Sequence, residues 1–86
     1  KEFRLYNNYP NPFNPATIIT FDIPKDALVK VRVYDILGKQ IYSLNEFKKA
    51  GSYDLQFNGS GFASGMYFYS VEANGFKETK KMVLLK

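Results

Sequence analysis

Apolar and polar residues alternate along most of this chain with a period of two, the signature of strands with one buried face. From Thr17 to Ile23, Ile19, Phe21 and Ile23 fall on one face, while Ile18, Thr20 and Asp22 fall on the other. From Leu28 to Tyr34, Val29, Val31 and Val33 point inward, and Lys30 and Arg32 outward. Ser52 to Phe57 sets Tyr53, Leu55 and Phe57 against Asp54 and Gln56, and Met66 to Ala73 turns Tyr67, Tyr69 and Val71 inward. Phe3 to Tyr6 is long enough for a short first strand, and Gln40 to Leu44 for a strand with less clean alternation. Phe76 to Leu85 closes the set, with a conflict at its end. Phe76, Met82 and Leu84 share one parity and Val83 and Leu85 the other, which calls for a bulge or for burial on both faces.

The breaks between these runs are turn sequences. Pro24-Lys25-Asp26 and Asp35-Ile36-Leu37-Gly38 end two strands, with Gly38 where positive φ is needed. Asn45 to Gly51 and Asn58 to Ser64 read as loops. Asn74-Gly75 is the strongest short hairpin signal, because both residues tolerate φ > 0. Asn7 to Pro15 is dense in proline and asparagine, which excludes regular structure. Proline supplies no donor, and asparagine favours Asx-turns. Tyr9 and Phe13 are placed to fold back from this segment as plugs over one end of the core. About seven short strands at regular spacing, with no helical period, predict an all-β fold: an Ig-like antiparallel β-sandwich over residues 1–86 as one domain.

Composition narrows the function. The chain of 86 residues has 8 Phe and 7 Tyr, large side chains that help a small core, and it has neither Cys nor His. Without them there is no disulfide, no usual structural zinc site, no cysteine nucleophile and no Ser-His-Asp triad. The eight acidic residues are scattered and form no calcium loop. No catalytic residue, cofactor or metal is expected. Nor does any apolar run approach the ~20 residues of a membrane-spanning helix. The chain starts Lys-Glu-Phe, without an initiator Met or a signal-peptide pattern, and reads as a piece of a longer protein.

Gly59 to Gly65 comes near two glycine motifs and fits neither. Ser64 stands where a dinucleotide fingerprint needs glycine, and Ala63 where a nucleophile elbow needs serine. A net charge of +4 beside many aromatics invites a nucleic-acid reading, but most aromatics take inward positions, so none is expected. Cationic residues gather only on the last strand, at Lys77, Lys80 and Lys81, before Met82-Val83-Leu84-Leu85-Lys86. Two readings of that run stand. It is a plain final strand whose lysines discourage edge-to-edge pairing, or it is a terminus read by another machine.

A family resemblance bears on that choice. Tyr9-Pro10-Asn11-Pro12-Phe13-Asn14-Pro15 looks like the opening motif of the type A C-terminal sorting domain of the type IX secretion system of Bacteroidota. Val31 to Lys39, with Tyr34, Asp35 and Gly38, resembles its central strand and turn. Gly51-Ser52-Tyr53 and Ala63 to Tyr69, with Gly65 and Tyr67, resemble its next two steps, and Phe76 to Lys86 its close. Phe62 departs conservatively from the Leu or Val usual there.

The resemblance implies an Ig-like β-sandwich at the C-terminus of a larger exported protein. Its partners would be an N-terminal passenger, an outer-membrane translocon and a sortase-like peptidase that removes the domain. The passenger would travel through the periplasm to the cell surface or medium. The recognised residues would be Lys80, Lys81, Met82, Val83, Leu84, Leu85 and Lys86. An alternative, by analogy of fold, is a retained adhesion or carbohydrate-associated module of a surface hydrolase, which would need an exposed aromatic platform.

Overall fold

A computed structural model describes residues 2–86. Seven strands form: β1 (Arg4–Leu5), β2 (Ala16–Ile23), β3 (Ala27–Tyr34), β4 (Gln40–Lys48), β5 (Gly51–Asn58), β6 (Gly65–Ala73) and β7 (Phe76–Leu84). They make two antiparallel sheets, one of three strands in the order β1-β2-β5 and one of four in the order β4-β3-β6-β7. Among the described residues there is no helix. The alternation fixes which faces meet. Ile19, Phe21 and Ile23 of β2 pack against Val29, Val31 and Val33 of β3 and Tyr69 and Val71 of β6, all essentially without solvent exposure, in one core cluster.

Three strand-level expectations change. The loop expected from Asn45 to Gly51 is mostly strand: β4 runs on to Lys48, and only Lys49 and Ala50 separate it from β5. β4 is an edge strand, so its backbone bonds to β3 carry it through a polar stretch that shows no buried face. Tyr53 and Leu55, expected to be largely buried, are half-buried, because β5 is the edge of the narrower sheet. The Tyr53 ring instead tilts on Phe21 at 5.7 Å and lies under Lys48, whose Nζ is 4.7 Å from its centroid.

The parity conflict in β7 disappears without a bulge. β6 and β7 pair in unbroken register from Gly65↔Leu84 to Ala73↔Phe76. Met82 and Leu84 are 0% exposed, Val83 is half-buried and Leu85 is exposed. The bulge lies elsewhere, in β4, where Ile41 is left unpaired between Tyr42, opposite Val33, and Gln40, opposite Tyr34. The β6–β7 turn has the conformation its sequence dictates, with φ of 53° at Asn74 and 80° at Gly75, the left-handed pair of a two-residue hairpin.

Candidate functional site: the last strand and the loop that covers it

β7 is an edge strand, and edges leave a row of unpaired N–H and C=O groups. Half of this edge is covered by the proline-asparagine segment. The Phe13 N–H donates to the Val83 carbonyl at 2.9 Å, and the Leu85 N–H donates to the Phe13 carbonyl at 3.0 Å. The Asn11 side-chain oxygen accepts the Val83 N–H at 3.0 Å. Phe13 itself is buried, edge-on to Phe57 at 6.2 Å. The expected plug is therefore real at Phe13 and absent at Tyr9, which is 80% exposed. Tyr9 takes part through its backbone, exchanging two hydrogen bonds with Ile18 of β2.

The first half of the segment is anchored by buried and partly buried polar contacts. The Asn8 N–H donates to the Tyr69 hydroxyl at 2.9 Å, and that hydroxyl donates to the Tyr6 carbonyl at 2.8 Å. Asn8 Nδ2 donates to Thr17 Oγ1 at 3.0 Å, and Thr17 Oγ1 donates to the Pro10 carbonyl at 2.8 Å. Burial and the Glu78 charge raise the Tyr69 phenol above its ordinary pKa against the opposing pull of the Asn8 N–H, with burial the largest influence. Pro12, Asn14 and Pro15 are exposed, and the Pro15 carbonyl accepts the Gly59 N–H at 2.7 Å.

Gly59, read from the sequence as part of a loop that fits no glycine motif, is a close-packing position. A Cβ there would sit 3.0 Å from a Leu84 methyl and 3.2 Å from the Phe13 ring. The glycine thus lets the loop after β5 close over the junction of opening segment and last strand. Its sequence signal was a glycine directly after a strand, at the head of a Gly-Ser-Gly run that also marks ordinary loops.

The other motif residues are spread through the molecule. Tyr34 is half-buried opposite Phe68. Asp35 Oδ1 accepts the N–H groups of Leu37 and Lys39, both at 2.9 Å, and Gly38 closes that turn with φ of 85°. The turn displays Ile36 and Leu37 to solvent. Gly51 and Gly65 open β5 and β6. Tyr67 is buried, with its hydroxyl donating to the Ala63 carbonyl at 2.5 Å. Phe62, the position that departs from the family pattern, stacks on Phe57 at 6.1 Å.

Along β7 the structure separates two sets of residues. Met82 and Leu84 are core. Lys81 and Leu85 face solvent, with Val83 between them half-covered by the loop. Lys86 Nζ donates to the Ser60 carbonyl at 2.7 Å. Lys80 is partly buried, its side chain 27% exposed, and pairs with Glu78 at 3.5 Å. Beyond the covered half, a cleft of about 780 Å³ opens between Asn7–Tyr9 and Thr79–Lys81. Among the described residues no His, Cys, Asp or Glu group could hold a metal ion, and no helix is long and apolar enough to cross a membrane.

Fold and site together define a small β-sandwich whose last strand is locked at one half and displayed at the other. Residues 7–85 match the model of the secretion system C-terminal sorting domain, and the chain belongs to that family, the sorting domains of type IX secretion. Members are signals for export to the cell surface or medium. No curated protein matches the chain. Among solved structures, the chain is similar to CopC from Methylosinus trichosporium OB3b, with a TM-score of 0.57 and 13% identity over 96% of this chain and 91% of that one. That likeness is one of fold: two stacked sheets of antiparallel strands.

Proposed function

We propose that this domain is a folded token in which the outward residues of β7 are read by the secretion machinery and the inward ones hold the strand in place. Lys81 and Val83 of β7, with Leu85 and Lys86 just beyond its end, are the readable set. Lys80 contributes from the cleft side, and Met82 and Leu84 act as anchors. The observation that carries this reading is the alternation in β7: two fully buried side chains are interleaved with residues that reach solvent.

The partners are an outer-membrane translocon that receives the domain from the periplasm and a sortase-like peptidase that cuts it from its N-terminal passenger. A folded module suits both, because a rigid strand presents the same side chains on every passenger. A reporter fused ahead of the domain tests the reading. The expected result is reporter at the surface or in the medium, with a mass that lacks the domain. Reporter held in the periplasm would overturn the signal. Exported reporter that keeps the full domain mass would overturn the cleavage step.

A further inference from the structure

We infer that the open half of the β7 edge, from Lys77 to Lys81, is a docking site for an extended acidic peptide segment that joins the four-stranded sheet as a fifth strand. Hydrogen-bonding direction alternates along an antiparallel strand. Val83 points its N–H and C=O away from β6, since Asn11 and Phe13 bond them from the other side. Lys81, Thr79 and Lys77 share that parity, so their N–H and C=O groups point the same way. Among the described residues none of them has a partner there. The cleft beside Asn7–Tyr9 opens onto this stretch. The edge is thus covered to Val83 and its backbone groups are unpaired below it.

The side chains choose the occupant. Lys77 and Lys81 lie on one face of the strand, four residues apart, and neither holds an ion pair among the described residues. Like charges directly opposite each other disfavour pairing with a second copy of this edge, whereas carboxylates opposite them favour an incoming strand. Strand addition supplies affinity through the backbone, and the lysines supply the preference for acid. This inference rests on the sorting reading for its setting: the segment would belong to the component that receives the domain.

The test uses a capped eight-residue peptide of alternating valine and glutamate, titrated into the chain and followed by amide NMR shifts. Shifts confined to Lys77–Lys81 and Asn7–Asn11, with affinity falling as salt rises, are the expected result. The same peptide N-methylated throughout should bind about tenfold more weakly or worse, having lost its backbone donors. Lys77→Glu with Lys81→Glu, both exposed positions, should abolish binding of the glutamate peptide and admit its lysine counterpart.

Equal binding of the N-methylated peptide, equal binding of the lysine peptide to the unaltered chain, or shifts elsewhere would overturn the proposal. So would self-association through this edge. A domain that directs export yet binds no acidic strand overturns this inference alone. One that binds the strand yet directs no export overturns the sorting reading alone.

Discussion

The two halves of β7 share one backbone and one register, yet they are built to different ends. From Met82 on, inward positions are fully buried and the outer edge is closed by Asn11 and Phe13. From Lys77 to Lys81, the inward positions carry Glu78 and Lys80, and the edge is open. The difference shows how a short strand can be held firmly and still be readable. Anchoring and display are divided by parity in one half and by position along the strand in the other.

Substitutions in the anchored half should have the largest effect. Leu84→Ala removes a fully buried side chain packed on the core, and the expected loss of stability is about 2–5 kcal/mol, read by chemical denaturation. A loss under about 1 kcal/mol would mean the strand end is not anchored. The same burial explains why deleting Met82 to Lys86 cannot isolate a signal: the deletion takes out two core residues along with the exposed ones.

Tyr69→Phe comes next. It deprives the buried Asn8 N–H and the Tyr6 carbonyl of their shared partner and should cost about 1–3 kcal/mol. The pH dependence follows from the same hydroxyl. Its folded pKa is raised above the ordinary 10.0, chiefly by burial. The unfolded chain therefore loses this proton first, and the stability it contributes is complete below pH 10 and is lost as pH rises through the folded value. Denaturation curves between pH 8 and 11 should show a decline above about pH 10 that is smaller in Tyr69→Phe. An equal decline in both proteins would remove Tyr69 as its source.

Asn11→Ala should cost less, about 0.5–1.5 kcal/mol, since it breaks one exposed hydrogen bond to Val83. Its sharper readout is hydrogen exchange: the Val83 amide should lose protection while the Met82 amide, bonded within the sheet, keeps it. Unchanged protection at Val83 would show that the Asn11 side chain does not cover that edge.

Much of this was legible from the alternation alone. The inward sets of β2, β3 and β6 lie in the core as the period of two dictates, and Asn74-Gly75 forms its turn. Edge strands were harder. In β4 and β5 the sheet supplies the hydrogen bonds while only part of one face is buried, so their hydrophobic pattern is weak or overstated. In β7 the apparent conflict arose because Val83 and Leu85 are apolar without being core. The strand pairing of Phe13 with β7, and the closeness of Gly59 to Leu84, join residues about seventy and twenty-five positions apart. No local pattern encodes such contacts. The motifs marked the opening segment and the last strand separately, and only the fold shows that one covers the other.

The central claim, that the outward residues of β7 are the signal and the inward ones its scaffold, is tested most directly by Lys81→Ala with Leu85→Ala in an exported fusion. Both side chains face solvent, so stability should change by no more than about 0.5 kcal/mol per site, a shift of a few degrees in Tm. The account predicts a domain that melts nearly as before and a passenger that stays in the periplasm. Normal export by this folded double variant would contradict it.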